Sequence, residues 1–221
     1  RDGLVGVIDA DSGEEILVGD EIDIDDIVWY GSVQSVKAMA AESGMGSSAP
    51  MSRLAELVGE TRAKGRAVHF LPPYRHDTQI QIMDLLGIHP SKQREEASTA
   101  LIDAVVQLRL VKSEEEIEEL ERAADLGYKM HTTAMKICSP GVTEKEIAGT
   151  LAGIANSYGA MVSFPTILSQ HGEIQHGAPS EAPLVAGKLM LCDCGAETIN
   201  NYCSDNTRTT PVSGHFDQRQ L

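Results

Sequence analysis

The chain has 221 residues, 42% of them hydrophobic and 4% aromatic, with Lys+Arg 18 against Asp+Glu 33 and a formal net charge of -15. That is enough apolar chain for one large domain or two small ones, while a polyanion of this size repels phosphate backbones, which argues against a nucleic-acid partner. No stretch approaches the roughly 20 continuous apolar residues of a membrane span, and the first residues carry no basic-then-apolar leader, so neither a membrane partner nor secretion is expected.

The four cysteines, Cys138, Cys192, Cys194 and Cys203, are too sparse for a disulfide scaffold at this length and point to a reducing, cytoplasmic compartment. The missing initiator Met and the unfinished end after His215 predict a piece of a longer protein.

Apolar runs at residues 4–9 and 15–18, split by Asp11, Ser12 and Gly13, predict a strand-turn-strand unit. Ten acidic residues crowd positions 2–26, but the ligand spacing of a calcium loop is absent, so a solvated acidic face is expected. Helical spacing over residues 27–41 gives way to a Gly-rich loop at 44–50. A helix over 52–63, a strand over 67–71, a Pro72-Pro73 stop and a helix over 78–86 complete an α/β pattern. His69, His76 and His89 lack acidic or Cys partners at ligand spacing and are expected to be ordinary core or surface residues. The polar segment 91–97 reads as a linker or an exposed helix start, which sets the domains at 1–92 and 93–221.

In the second region Leu101 opens a helical or extended run over 101–111. Ser113 with Glu116, and Thr143 with Glu146, then form successive capping boxes. They predict a long helix with Ile117, Leu120, Ala124 and Tyr128 as its buried stripe, and a second with Ile147, Leu151 and Ile154, ended by Gly159. After Gly159 short strand-like runs follow at 161–168, 184–185, 188–194 and 205–212. Helices first and an antiparallel sheet after them give an α+β second region.

The run 189–195 is an apolar strand interrupted by Asp193, a costly place for a carboxylate without a cation or several donors. If the hairpin that follows is symmetric about Ile199, Asp193 faces Asp205 directly, with Cβ atoms about 4.5–5.5 Å apart. Two carboxylates so close require a shared proton or metal ions, and oxygen ligands suit hard cations such as Mn²⁺ or Mg²⁺. The bland alternatives are two solvent-facing carboxylates, or Asp205 paired only with Arg208. A rival zinc set is Cys192, Cys194 and Cys203 with His176 or His215. Strand alternation turns Cys192 and Cys194 away from Asp193 while Cys203 shares the face of Asp205, so core packing is expected for these cysteines.

Five motifs run in order over residues 108–215. They are Leu108-Arg109-Leu110-Val111-Lys112-Ser113-Glu114-Glu115-Glu116-Ile117, Pro140-Gly141-Val142-Thr143-Glu144, Ser163-Phe164-Pro165-Thr166-Ile167-Leu168, Ile174-Gln175-His176-Gly177, and the pair Cys192-Asp193-Cys194-Gly195-Ala196-Glu197 with Tyr202-Cys203-Ser204-Asp205-Asn206-Thr207-Arg208-Thr209. This series resembles the pita-bread metallopeptidases, most closely their Xaa-Pro aminopeptidases (aminopeptidase P), with prolidase second. Residues 1–92 resemble, more weakly, part of the non-catalytic N-terminal domain of the creatinase and aminopeptidase P type.

The resemblance implies an incomplete N-terminal α/β domain followed by the first half of an α+β pita-bread catalytic domain. It implies that Asp193 binds one metal ion and Asp205 bridges two divalent ions, usually Mn²⁺. It implies that His176 lines the substrate site, where it steadies the oxyanion or the peptide, and that Arg208 orients Asp205. The expected substrate is a peptide with proline in the second position, hydrolysed by a hydroxide bridging the two metals, and a homodimer is implied as well. The remaining ligands, a His and two Glu, are expected beyond Leu221, so the 221-residue chain is expected to be inactive alone. Cys194 stands where the family usually has a small Ala. A prolidase-like dipeptidase and a non-enzymatic peptide-binding homologue remain the alternatives.

Overall fold

The computed structural model describes residues 3–221; Asp2, the first of the ten acidic residues, lies outside them. The chain divides into two compact units, one up to Leu108 and one from Arg109.

In the first unit β1 (Val5–Ile8) and β2 (Glu15–Val18) pair antiparallel with Val5 opposite Val18, the expected hairpin. Its turn is held by Asp9, whose Oδ1 accepts the N–H groups of Asp11 and Ser12 at 2.9 and 3.1 Å in the manner of an Asx-turn. Arg66 grips the same carboxylate through both terminal nitrogens at 2.6 Å and reaches Asp11 at 2.8 Å. Hydrogen bonding to this guanidinium holds the Asp9 carboxyl well below the usual carboxylate range.

The helix expected over 27–41 is two helices, α1 (Ile24–Tyr30) and α2 (Val36–Glu42). Gly31, at φ 77°, ends the first, and the Ser35 side chain caps the second by accepting from Ala38 N–H at 3.1 Å. The stretch 44–50, expected to be loop only, contributes β3 (Ser47–Ala49), which joins β2 in parallel. Helix α3 (Ser52–Ala63) follows as expected.

Residues 67–71, expected as a strand, carry no ladder pairing. A cavity of about 800 Å³ is lined by both Val7 of β1 and Phe70 of this segment. Next come α4 (His76–Leu86), α5 (Pro90–Glu96) and α6 (Thr99–Leu110). The linker-like segment is thus α5, and it is packed: Gln93 is buried and donates to the carbonyls of Gln79 and Ile88, both at 2.8 Å. His89 caps α5 by accepting from Ser91 N–H at 3.3 Å, an ordinary structural role.

The second unit opens with α7 (Glu114–Ile137) and α8 (Glu144–Ser157), both with complete capping boxes. Ser113 N–H donates to Glu116 at 2.8 Å and Thr143 N–H to Glu146 at 2.7 Å. Gly159, at φ 71°, closes the chain around the end of α8. Ser113→Ala is expected to cost about 1 kcal/mol, read as a lower urea midpoint for the 221-residue chain, because Glu116 also accepts from the Tyr202 hydroxyl at 2.8 Å.

The buried stripe of α7 is not the expected one. Glu119, Ala123, Leu126, Gly127, Met130, His131 and Ala134 face inward, while Ile117 and Tyr128 are exposed. Small residues set this choice: Gly127 lies so close to Ser204 that an added Cβ would sit 2.9 Å from its Oγ.

The strands are β4 (Met161–Val162), β5 (Ile167–Ser169), β6 (Leu189–Cys194), β7 (Ala196–Glu197) and β8 (Asn206–Pro211). β5, β6 and β8 form an antiparallel sheet with β6 central, and β7 turns away to pair with β4. Leu184, expected in a strand, instead bonds Val142 in the loop before α8, its N–H donating at 2.8 Å. Leu126, Met130, Ala134, Ile147, Leu151 and Ala155 of the helices pack on Leu168, Met190, Cys192 and Cys194 of the sheet. Helices on one face of an antiparallel sheet make this unit α+β, as expected.

Candidate metal centre

Asp193 lies on β6 with Cys192 and Cys194 as neighbours, and strand alternation sends it to the face opposite theirs. Cys192 and Cys194 are buried in the core, as the alternation predicts. Asp193 is half-buried, and its Oδ1 is fully enclosed without a hydrogen-bond partner among the described residues. An enclosed carboxylate oxygen with no donor is an unfavourable state that a cation relieves.

The direct opposition of Asp193 and Asp205 is corrected by the register. Asp193 pairs with Thr207, and Asp205 immediately precedes β8. The hairpin between them centres on Asn200 rather than Ile199. Thr198 N–H donates to Tyr202 O and Ser204 N–H to Ala196 O, both at 2.9 Å, and Asn201 takes the left-handed conformation at φ 61°. Asparagine tolerates that conformation better than most side chains. Because the partner shifts by two residues, from 205 to 207, the face is kept. Asp193 and Asp205 become diagonal neighbours on one face, a relation that pleated geometry sets at about 7–8 Å.

His176 is exposed in the turn between β5 and β6. That turn is tied to β5 by Leu168 N–H donating to Gly177 O at 3.3 Å. Its two ends are held by a residue to which spacing gave only a place in a helix's first turn. Glu144, at the start of α8 and 2% exposed, accepts from Gln170 N–H at 2.8 Å and Ser169 Oγ at 3.2 Å on one oxygen. Its other oxygen accepts from Ser180 N–H at 3.0 Å and Ser180 Oγ at 2.8 Å. Burial pushes this carboxyl up, but the four donors together outweigh burial and leave it below its ordinary value.

Arg208 does not reach Asp205. It pairs with Cys192, is exposed, and its guanidinium donates to the Thr207 carbonyl at 2.8 Å. Just past the end of β6 the chain meets a tight crossing: a Cβ on Gly195 would fall on the Ser204 carbonyl. Only a glycine lets the strand leading to Asp205 pass this closely.

On the core side, spacing along the chain gave no hint of His131, which reaches the two cysteines from α7. Cys192 Sγ donates to Cys194 Sγ across 3.8 Å, and His131 Nε2 lies 3.5 Å from Cys194 Sγ. The Cys192 thiol and His131 pull Cys194 down to about 6, while the same contact pushes Cys192 up and Cys194 pushes His131 up. Cys203, by contrast, is an exposed free thiol.

Comparison with known proteins bears on the whole second unit. Residues 118–221 match metallopeptidase family M24. This stretch is similar to the M24 metallopeptidases. The chain is 38% identical over 136 residues to the Xaa-Pro aminopeptidase of Escherichia coli, covering 59% of this chain and 31% of that protein. It is 29% identical over 197 residues to Xaa-Pro aminopeptidase 1 of Streptomyces coelicolor, covering 87% of this chain and 38% of the other. Aminopeptidase PepP of Pseudomonas aeruginosa superposes with a TM-score of 0.77 at 28% identity, covering 94% of this chain and 48% of that one. A substrate complex of an Escherichia coli aminopeptidase P variant gives 0.74 at 27% identity, over 93% and 48%. The chain therefore spans about a third of the curated relatives and about half of the solved structures, and the M24 segment shares the pita-bread fold over that part.

Proposed function

We propose that this chain is part of a metal-dependent aminopeptidase that hydrolyses the bond between an N-terminal residue and proline, and that the 221-residue chain alone is inactive. The observation that carries this is the pair Asp193 and Asp205 on one face of the hairpin in the M24-like segment, with an enclosed Asp193 oxygen that has no donor among the described residues. Both are hard oxygen ligands suited to two divalent ions, with Mn²⁺ as the first choice. Asp193 and Asp205 would hold the ions, as two of the five ligands that the family resemblance implies. When bound, such ions lower the pKa of water and polarise a carbonyl oxygen.

The chain's own residues do the positioning. Gly195 lets the two Asp-bearing segments approach, and Tyr202 anchors the hairpin tip on Glu116. Glu144 fixes both ends of the turn that presents His176, which would line the substrate site and steady the oxyanion or the bound peptide. Arg208 takes no part in holding Asp205 in this arrangement. A domain division at residues 92 and 93, a cytoplasmic location and a homodimer complete the proposal. Among the described residues no helix is long and apolar enough to cross a membrane.

Calorimetric Mn²⁺ titration of the 221-residue chain is expected to show weak binding that disappears in the Asp193→Asn, Asp205→Asn double variant. Full-length protein with Mn²⁺ is expected to cleave Xaa-Pro-Yaa peptides faster than Xaa-Pro dipeptides. The reverse preference makes it a prolidase-like dipeptidase, and no cleavage of either makes it a non-enzymatic homologue.

A further inference from the structure

The face of β6 turned away from Asp193 carries a second set of ligating atoms. Cys192 and Cys194 enter the core side by side and meet His131 of α7; all three are buried, and their ligand atoms lie within 4.8 Å of one another. A tetrahedral zinc centre, with Zn–S about 2.3 Å and Zn–N about 2.0–2.1 Å, places two sulfurs about 3.8 Å apart and a sulfur and nitrogen about 3.5 Å apart. Here Cys192 Sγ and Cys194 Sγ are 3.8 Å apart, and Cys194 Sγ and His131 Nε2 are 3.5 Å apart. Two of the three edges already have the dimensions of a metal site, and the third, from Cys192 Sγ to the imidazole, lies within 4.8 Å.

The imidazole supplies an independent sign. His131 is 6% exposed, and its Nδ1 makes no hydrogen bond among the described residues. A histidine kept for packing would have both ring nitrogens satisfied. Besides the Asn206 and Cys194 backbone, its partner is the Cys194 sulfur, which is a weak partner unless the contact becomes a coordination bond.

We propose that His131, Cys192 and Cys194 form a site for a thiophilic closed-shell metal ion, Zn²⁺ or Cu⁺, separate from the Asp193 and Asp205 carboxylates. Ligand softness keeps the two apart: thiolate and imidazole select zinc or monovalent copper, whereas carboxylates select Mn²⁺ or Mg²⁺. Strand β6 thus presents a hard ligand, Asp193, on one face and soft ligands on the other. Among the described residues no fourth His, Cys, Asp or Glu joins the group. Zn²⁺ would then complete its tetrahedron with water, and Cu⁺ would remain three-coordinate.

The test titrates the reduced 221-residue chain with Co²⁺, as a chromophoric substitute for Zn²⁺, and separately with Cu⁺ against a competing chelator. One equivalent is expected to produce thiolate-to-metal absorption, displaced by Zn²⁺ if the site is tetrahedral and seen with Cu⁺ alone if it is trigonal. The absorption is expected to persist in the Cys138→Ala, Cys203→Ala double variant, which removes the other two thiols, and in Asp205→Asn. Affinity is expected to fall more than about 100-fold in Cys192→Ala or Cys194→Ala, beyond the loss from removing an outer partner of a metal ligand. No thiolate absorption with either ion overturns the proposal, and so does absorption that vanishes when only Cys138 and Cys203 are replaced. Both of those readings use chains with the proposed ligands intact, so they stand even if the core variants fail to fold.

Discussion

Replacing Glu144 with alanine is expected to remove about 3–5 kcal/mol of stability, since a hydrogen bond to a charged group contributes about 1.5–3 kcal/mol and a buried donor left unpaired costs about 1–3. Four donor atoms lose their acceptor at once: the N–H groups of Gln170 and Ser180 and the hydroxyls of Ser169 and Ser180. In a protein of this size that corresponds to a melting temperature lower by about 10 °C or more. Glu144→Gln keeps the volume but turns an amide NH₂ toward donors on one side, so an intermediate loss is expected. The pH dependence has a definite sign. The folded carboxyl lies below its ordinary value of 4.5, so its contribution is fully present above about pH 5 and is lost as pH falls through the folded value. The wild-type chain should lose stability toward acid more steeply than Glu144→Ala. Equal acid slopes would show that Glu144 is not the anionic clamp. Because the clamp holds both ends of the turn bearing His176, rates in the full-length protein should fall with stability.

Local signals carried much of this unit. The two capping boxes, the Gly159 terminus and the alternation that buries Cys192 and Cys194 each depend on residues a few positions apart, and each is present. What failed depended on choices made elsewhere in the fold. The hairpin register turned on Asn201 taking the left-handed form and on Tyr202 reaching Glu116 across the fold, so a symmetric tip around Ile199 was off by one position. The α7 stripe followed Ala123 and Gly127, whose smallness permits close packing, rather than the larger Ile117 and Tyr128. A strand over 67–71 has β propensity but no ladder partner, and propensity alone does not make a sheet. His131 was illegible for the same reason: it sits inside a helix, and only tertiary packing brings it to Cys194. The diagonal placement of Asp193 and Asp205 shows how a wrong register still yields the right face, since a two-residue shift in the partner preserves strand parity.

Gly195→Ala is expected to cost about 3 kcal/mol or more, the upper part of the range for overpacking a filled site, because the obstacle is backbone rather than a flexible side chain. The new methyl would fall on the Ser204 carbonyl and crowd Ser163 Oγ, which donates to that carbonyl at 2.8 Å. Neither neighbour can yield cheaply. Ser163 N–H is itself bonded to Gly195 O at 3.1 Å, and Ser204 is held twice to Ala196, through N–H to O at 2.9 Å and through Oγ accepting from N–H at 3.0 Å. The strain therefore passes to the next residue along, Asp205, and opens the distance to Asp193. Urea unfolding should show the lower midpoint, and whatever folded protein remains should bind Mn²⁺ more weakly than the wild type. Gly149→Ala is the matched reference: an added Cβ there meets nothing within 4 Å on the exposed face of α8, and it should stabilise the chain by about 0.5–1 kcal/mol. If Gly195→Ala unfolds at the wild-type midpoint, the Ser204 carbonyl does not cross Gly195 as described, and the approach of the two aspartates must have another cause. If the midpoint falls but Mn²⁺ affinity holds, the crossing is structural and the aspartates do not depend on it for their spacing.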